Sequence, residues 1–231
     1  MSYIGTNKVG KMFLGDVAIG KAYLGNDLVY SSDGGIAPIL PYDTEIEYLE
    51  STGTQFIEIP FGFYKTDEIY MDFSIDLSMG NDKYMIAPKT WNNNNNRFSF
   101  GVMNTNKVFT AGYGSSRTGL TMLTPNIPND GIIHNWQYKN YLFEVVDLVT
   151  SKDVSNITFG AATTNLKLFF GYNANTKGKI AYYKQIKDGQ KVIELIPVRV
   201  GQVGYMYDKV SGQLFGNNGT GSFILGNDKT T

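Results

Sequence analysis

The stretch LIPVRVGQVGYMYDKVSGQLFGNNGTGSFILG, residues 195–226, decides the fold, because each of its parts has a local structural reason. Residues 204–207 read Gly-Tyr-Met-Tyr, which predicts a short strand whose alternating aromatic side chains share one face. Residues 208–212 predict a tight turn, since Asp and Ser side chains bond the local backbone and Gly adopts positive φ. The next two apolar residues predict a returning strand, and residues 217–221 predict a second turn. The stretch therefore predicts a hairpin that closes a β domain.

The composition favours an all-β protein and excludes several kinds of site. Of 231 residues, 16 are Tyr and 14 are Phe, whereas charged residues make up only 18%, a balance suited to pleated, half-buried surfaces. This length allows one large β domain or two smaller ones with a sizeable core. A net charge of -1 gives no electrostatic basis for binding nucleic acid or an anionic membrane. The absence of cysteine excludes disulfides and thiolate metal sites, and a single histidine excludes metal sites built on several histidines.

Strand candidates with short turns continue through the middle of the chain. Residues 68–77 alternate apolar and polar side chains, which predicts a strand with one buried face and one acidic face. Residues 139–140 and 188–189 predict hairpin turns between such strands. Many strands, short turns and few helical candidates predict a β-sandwich or a barrel.

Residues 7–30 contain a short internal repeat with a period of about ten residues. Its common core is Val/Ile-Gly-Lys-x-aromatic-Leu-Gly-Asp/Asn, so each unit predicts a short strand that ends in a Gly-Asp or Gly-Asn turn. The repeat therefore predicts a small β-meander, too small to bury much core by itself. It needs a partner surface, which copies of itself or another protein would supply. A locally folded cap on the main domain is the alternative.

A linker separates the repeat from the rest of the chain. The segment that starts at residue 31 holds Ser, Gly and two prolines without strand alternation. The predicted organisation is an N-terminal β-repeat segment for attachment or assembly at 1–30, a linker at 31–43 and a β-sandwich domain at 44–231.

Two segments of the chain resemble the concanavalin A-like, laminin-G-like sandwich domains. The closing hairpin at residues 195–226 is similar to the run that ends such domains, and IEYLESTGTQFIEI at residues 46–59 is similar to their opening segment. The two segments bracket the region from about residue 44 to 228. This resemblance implies a jelly-roll β-sandwich, and it implies little about chemistry.

The N-terminal repeat resembles segments at the start of bacteriophage tail, fibre and capsid-associated proteins, where it often precedes a domain of this kind. The combination implies a non-enzymatic virion structural protein with an outward-facing, lectin-like sandwich. The repeat would contact other virion proteins, with the aromatic-Leu pairs Phe13-Leu14 and Tyr23-Leu24 as attachment residues. Virion proteins of this sort are usually multimeric, so we expect a homo-oligomer, although the sequence holds no coiled-coil or collagen-like stalk.

Signals for catalysis are weak, and we expect no enzymatic activity. Glycan-cleaving relatives of the fold carry paired acids on one strand, typically as Glu-x-Asp-x-x-Glu, which is missing here. Glu68, Asp72 and Asp76 do share a strand face, but such acids are more often solvated surface. The single histidine, His134, opens a predicted hairpin as a surface or packing residue, and no Gly-x-Ser-x-Gly motif is present.

The sequence predicts no cofactor and no metal ligand set. Calcium can be held by oxygens alone, for which Asp82, Asp130, Asp147 and Asp208 are the candidates. No Asp-x-Asp-x-Asp-Gly loop supports a calcium site, and Asp208 is better explained as a turn-former.

Two polar-aromatic loops are candidates for binding a host-surface glycan, because sugar rings stack on aromatic faces while polar side chains bond their hydroxyls. The first loop contributes Trp91, Asn93, Asn94 and Arg97, and its run of five asparagines disfavours helix and strand. The second contributes Tyr113 and Arg117. An ordinary turn and a protein–protein contact are the alternatives for the first loop.

We expect the protein in a virion, made in the cytoplasm of the bacterial host. Glycines at every fifth position from 5 to 20 interrupt the apolar core that a signal peptide needs. No apolar run approaches the ~20 residues that cross a bilayer, so membrane insertion is not expected. The alternative function is a freestanding carbohydrate-binding or glycan-cleaving protein of a gut bacterium. A third interpretation is an inert protein-interaction domain.

Overall fold

The chain divides into two compact units, Met1–Pro41 and Tyr42–Thr231, and the boundary lies inside the predicted linker at 31–43. The computed structural model describes the backbone of residues 2–4, 7–9, 12–14, 17–19, 21–24, 27–31, 40–76, 83–88, 97–103, 108–114, 120–126, 131–170 and 175–230. Side chains are described for residues 40–76, 84–88, 98–101, 131–170 and 175–230.

The described residues of the first unit form three antiparallel two-stranded sheets. Consecutive strands pair, β1 with β2, β3 with β4 and β5 with β6. Gly and Asp or Asn separate the strands of the second and third pairs in sequence, as the repeat predicts. The attachment residues Phe13 and Leu14 lie in β3, and Tyr23 and Leu24 lie in β5. The strands are β1 (Ser2–Ile4), β2 (Asn7–Val9), β3 (Met12–Leu14), β4 (Val17–Ile19), β5 (Lys21–Leu24) and β6 (Asp27–Ser31).

The second unit is all-β in the residues described, apart from one 3-10 turn at Val146–Leu148, which confirms the predicted all-β class. Its strands are β7 (Thr44–Glu45), β8 (Leu49–Thr52), β9 (Ile57–Ile59), β10 (Phe63–Tyr64), β11 (Glu68–Ile75), β12 (Lys83–Pro88), β13 (Arg97–Met103), β14 (Val108–Gly114), β15 (Leu120–Asn126), β16 (His134–Lys139), β17 (Leu142–Val145), β18 (Thr150–Asp153), β19 (Ala161–Ala162), β20 (Leu166–Leu168), β21 (Lys177–Lys187), β22 (Gln190–Val200), β23 (Val203–Asp208), β24 (Leu214–Phe215) and β25 (Ile224–Leu225). No helix in this described part of the chain is long and apolar enough to span a membrane.

Two large antiparallel sheets make up most of the second unit. The larger runs in the order β18-β17-β16-β11-β21-β22-β23-β24, with β7 on β22, and β8 on both β21 and β25. The smaller runs in the order β15-β14-β13-β12-β20-β9. A third sheet pairs β10 with β19. The predicted hairpin turns at 139–140 and 188–189 connect β16 to β17 and β21 to β22.

Aromatic side chains from both sheets meet in one core, as in a β-sandwich. Phe73 on the larger sheet packs edge-on against Phe100 on the smaller sheet, with ring centroids 5.1 Å apart. Trp136 stacks on Phe100 at 4.0 Å. Phe63 stacks on Phe98 at 3.6 Å. All these side chains are buried, so the alternation read in the sequence of β11 is the alternation that fills the core.

The closing hairpin forms as the sequence predicts. Tyr205 and Tyr207 point away from the core, whereas Met206 between them is buried. The Asp208 carboxylate accepts hydrogen bonds from the backbone N–H of Val210 at 3.0 Å and from the Ser211 hydroxyl at 2.6 Å. It also accepts the N–H of Glu194 at 2.9 Å, so the predicted turn-former ties the turn to β22 as well.

The opening and closing segments of the unit bind each other directly. The buried Gln55 accepts the N–H of Thr52 at 2.8 Å and donates to the Ser222 carbonyl at 3.0 Å. Asn218 accepts the N–H of Glu58 at 2.8 Å. Gly219 lies so close that a Cβ there would stand 2.1 Å from the Thr54 carbonyl oxygen. Residues 53–58 are therefore held by the turn at 217–222, which we call the clasp.

Replacing Gly219 by Ala should destabilise the second unit by about 1–3 kcal/mol, because the new Cβ has no space at the Thr54 carbonyl. Gly201→Ala is the matched control: its φ is 58° but nothing lies within 4 Å, so only backbone strain of about 1 kcal/mol is expected. Urea unfolding measures both. Equal or smaller destabilisation by Gly219→Ala would show that the clasp is not tightly packed.

Candidate functional site

The structure describes only part of the predicted glycan loops. Trp91, Asn93, Asn94 and Arg117 lie outside the described residues. Arg97 is the first residue of β13 and pairs with Gly114 of β14. Tyr113 lies within β14, not in a loop, and pairs with Phe98. Arg97 and Tyr113 thus belong to consecutive residue pairs of β13 and β14. Glycan binding at these residues stays a prediction.

A second candidate site lies on the outward side of the larger sheet, around β11. Tyr70 and Asp72 of β11 are flanked by Gln137 and Asn135 of β16 and by Lys184 and Tyr182 of β21. Glu194 of β22 pairs with Lys184 and continues the row. None of these residues is fully buried. We call this surface the tyrosine face; it comprises Glu68, Tyr70, Asp72, Asn135, Gln137, Tyr182, Lys184 and Glu194.

Each tyrosine of this face is held by a glutamate. The Tyr70 hydroxyl donates to Glu68 at 2.6 Å, and the Tyr182 hydroxyl donates to Glu194 at 3.1 Å. Burial is the main cause that raises the pKa of both tyrosines, and the neighbouring glutamate raises each further. Both hydroxyls therefore stay protonated at neutral pH and hold their rings in fixed positions.

Two lysines complete these glutamate contacts, and a third covers a ring. Lys139 pairs with Glu68 at 3.5 Å, and Lys191 donates to Glu194. The hydrogen bond from Lys191 is the largest cause that lowers the pKa of Glu194. The Lys184 ammonium lies 3.9 Å from the centre of the Tyr70 ring, a cation–π contact. Positive and negative groups thus alternate across the face.

Asp72 occupies the position between the two tyrosines. It pairs with Tyr182 in register and accepts a hydrogen bond from the Asn135 side-chain amide at 2.8 Å. Burial is the largest cause that raises the pKa of Asp72, and the negative charge of Asp147 raises it further. Asn135 links the two acids, because its backbone N–H donates to Asp147 at 3.0 Å.

The single histidine faces the core and is paired with the same aspartate. His134 is 4% exposed, and its Nδ1 lies 2.6 Å from an Asp147 carboxylate oxygen. This contact fixes the start of β16 beside the 3-10 turn that contains Asp147. A buried, carboxylate-paired histidine agrees with the packing role expected from the sequence.

Of the four calcium candidates, two lie within the described residues and two lie outside them. Asp82 and Asp130 lie outside the described residues. Asp147 binds His134, and the Asp208 carboxylate caps its own turn. No group of three or more His, Asp or Glu side chains suited to a metal occurs in the part of the chain that the structure covers.

Sequence reasoning treated the polar side of β11 as solvated surface and so missed the tyrosine face. The signal was the alternation of Glu68, Tyr70 and Asp72 along one strand. The neighbours of these β11 residues come from β16, β21 and β22, which are distant from β11 in sequence. Only the strand order shows that the polar side chains of these strands lie on one surface. Fixed aromatic rings flanked by donors and acceptors can stack on a sugar ring and bond its hydroxyls.

Comparisons of the chain with protein-family models, curated proteins and solved structures found no match. No activity is therefore carried over from a relative. Function has to be inferred from the arrangement of side chains at the candidate sites.

Asp72→Asn should flatten the dependence of stability on pH. Because burial raises the pKa of Asp72 above its ordinary 3.8, the folded protein holds this proton more tightly than the unfolded chain. The stability that Asp72 contributes is therefore fully present below that value and lost as the pH rises through the raised pKa. Asparagine removes this loss and can still accept the bond from Asn135. Urea unfolding from about pH 4 to about pH 7 measures the difference.

Asp228→Asn is the comparison with the opposite sign. Its hydrogen bond with Arg199 lowers the pKa of Asp228, so its contribution is present at higher pH and lost as the pH falls. An Asp72→Asn profile identical to that of the unaltered protein would contradict a raised pKa.

Proposed function

We propose that the chain is a non-enzymatic structural protein of a bacteriophage virion, part of a tail, a fibre or a capsid decoration. Its second unit would be a jelly-roll, concanavalin A-like sandwich that faces outward and binds host-surface glycans. Its N-terminal repeat would anchor it to other virion proteins. The observation that carries glycan binding is the tyrosine face, where Tyr70 and Tyr182 flank Asp72.

The chemistry of this face suits a neutral sugar better than an apolar or strongly charged ligand. Both tyrosines are partly exposed, but Lys184 covers one face of the Tyr70 ring, so Tyr182 is the ring on which the C–H groups of a sugar would stack. Asn135 and Gln137 supply amides, and Lys184 supplies an ammonium donor beside the Tyr70 ring. Sugar hydroxyls both donate and accept, so a row that mixes amides, carboxylates and an ammonium can satisfy them.

The two glutamates of the face favour binding over cleavage. Glu194 is engaged by Tyr182 and Lys191, and Glu68 is engaged by Tyr70 and Lys139. Carboxylates that fix aromatic rings and pair with lysines are poorly placed to transfer protons or attack a sugar.

One observation favours the alternative, a freestanding glycan-binding or glycan-cleaving protein of a gut bacterium. Burial raises the pKa of Asp72, whereas the hydrogen bond from Lys191 lowers the pKa of Glu194. Acid–base cleavage uses one acid that keeps its proton and one that is ionised, and these opposite pKa shifts match that pairing. We therefore include cleavage in the test of glycan binding.

Support for the jelly-roll, concanavalin A-like assignment comes from the two segments that carry the resemblance. The opening segment supplies β8 and β9, and the closing segment supplies β23, β24 and β25. The clasp joins them, and β25 pairs with β8. Support for an attachment role comes from the repeat, whose strands form two-stranded sheets too small to bury a core.

Tyr182→Ala should abolish binding to a glycan that the intact protein recognises, because it removes the ring beside Asp72. The measurement is binding of the full chain to a broad glycan array and to intact gut-bacterial cells, with and without calcium. Trp91→Ala tests the predicted loop in parallel. Tyr64→Ala is the matched control, since Tyr64 is an exposed tyrosine on β10, outside the tyrosine face.

The possible outcomes distinguish the predicted loop from the tyrosine face, and glycan binding from glycan cleavage. If Trp91→Ala abolishes glycan binding and Tyr182→Ala does not, the binding site lies in the predicted loop. New reducing ends that disappear with Asp72→Asn would overturn the non-enzymatic proposal in favour of cleavage. A folded protein that binds no glycan and no cell would contradict the lectin-like role.

Deleting residues 1–30 should leave residues 44–231 folded and soluble but abolish self-assembly or attachment to particles. Assembly should be lost because the small repeat is the segment that needs a partner surface. The second unit should stay folded because it does not depend on the repeat. Light scattering and sedimentation with particles measure assembly, and circular dichroism measures folding. Phe13→Ser combined with Tyr23→Ser should have the same effect in the full chain. An unfolded truncation would show that the repeat belongs to the core of the domain.

A further inference from the structure

A surface depression outside the tyrosine face has the form of a small-ligand site. It has a volume of about 330 Å³ and lies between the turn after β10, the β16–β17 hairpin and the segment that follows β18. Its lining residues are Lys65, Tyr141, Ser155, Asn156, Ile157, Thr158 and Phe159. We infer that this depression binds a monosaccharide unit that carries an anionic group. The inference goes beyond the proposed function and does not depend on the tyrosine face.

The wall that carries Lys65 is rigidly held. The buried Asp67 accepts the N–H of Tyr64 at 3.0 Å, and its own N–H donates to the Tyr64 carbonyl at 2.9 Å. These two bonds close a turn around Lys65. The Tyr138 hydroxyl, anchored in the core, donates to the Lys65 carbonyl at 2.8 Å. The Lys65 backbone is therefore fixed, while its side chain is exposed.

The wall that carries Tyr141 holds an aromatic side chain in an unusual backbone conformation. Tyr141 has a φ of 62°, a region that residues other than Gly, Asn and Asp rarely adopt. Its carbonyl accepts the N–H of Val154 at 2.8 Å, which connects the hairpin to the opposite wall. Asn140 before it has a φ of 51°, and two successive positive φ values are what a two-residue type I′ hairpin turn requires, so the hairpin holds the backbone of Tyr141 in place.

The segment at 154–159 forms the remaining wall and is equally supported. The N–H of Ser155 donates to Asp153 at 2.7 Å, and the N–H of Ile157 donates to the Val154 carbonyl at 3.0 Å. Phe159 packs edge-on against the buried Phe63, with ring centroids 5.3 Å apart. The exposed Ser155, Asn156 and Thr158 therefore project from a braced segment.

The lining groups define the ligand class. Among the described residues that line the depression, Lys65 is the only charged one and none carries a carboxylate, so a ligand anion would meet an ammonium there. The hydroxyls of Tyr141, Ser155 and Thr158 and the amide of Asn156 supply donors and acceptors for sugar hydroxyls. Tyr141 and Phe159 supply apolar surface for sugar C–H groups. A carboxylate-bearing or phosphate-bearing sugar meets all three requirements.

The experiment is an NMR titration of the full chain with four probes: glucuronate, its uncharged amide, glucose 1-phosphate and inorganic phosphate. Glucuronate should shift the amide signals of residues 155–159, and the uncharged amide should bind at least several-fold more weakly. Lys65→Gln should weaken glucuronate binding roughly tenfold, the loss of one charge-assisted hydrogen bond, and remove the preference for the acid. Thr158→Val should weaken the acid and the amide alike. Lys209→Gln, an exposed lysine on the turn after β23, is the matched control.

The other outcomes decide the source of the charge or overturn the site. Tighter binding of glucose 1-phosphate keeps the anionic-sugar class and assigns a phosphate. If inorganic phosphate binds as tightly as the sugars, the depression recognises only the negative charge, which would contradict the inference. Equal binding of acid and amide, or full binding by Lys65→Gln, would also contradict it. A blank glycan array with glucuronate binding intact would contradict the lectin-like role of the tyrosine face and leave this site standing.

Discussion

The clasp between residues 53–58 and the turn at 217–222 is the constraint on which the domain depends. Residues 53–56 connect β8 of the larger sheet to β9 of the smaller sheet, so this segment crosses from one side of the core to the other. Gln55 bonds to the end of β8 at Thr52 and to the Ser222 carbonyl of the turn, and Gly219 permits a backbone approach that no side chain would allow. Fixing this crossing fixes the position of one sheet on the other.

The aromatic core then fixes the register of the central strand. Phe73 packs against Phe100 across the sheets, and Ile69 and Met71 on the same side of β11 are fully buried. A slip of one residue would turn these side chains to solvent and bury Tyr70 and Asp72 instead. The tyrosine face is thus a consequence of core packing, since the period of two leaves Tyr70 and Asp72 no other side of the sheet.

Charge pairing keeps that face ordered. Each tyrosine hydroxyl is bound by a glutamate that also contacts a lysine, and Asp72 is bound by Asn135. Half-buried polar groups of this kind cost free energy unless they are hydrogen-bonded, so the pairs both stabilise the surface and hold the rings in one orientation. The depression beside Lys65 is braced in a similar way, by backbone bonds to Asp67 and Tyr138.

The sequence by itself determined the all-β class, the buried face of β11, the turn at Asp208 and the hairpins at 139–140 and 188–189, because these depend on periodicity and local turn chemistry. Tertiary structure alone decided that Tyr70, Asn135, Tyr182 and Glu194 lie on one surface. It also decided that Gln55 meets Ser222. Strand order and loop contacts join residues far apart in sequence, and no local pattern in a single chain records which strands become neighbours.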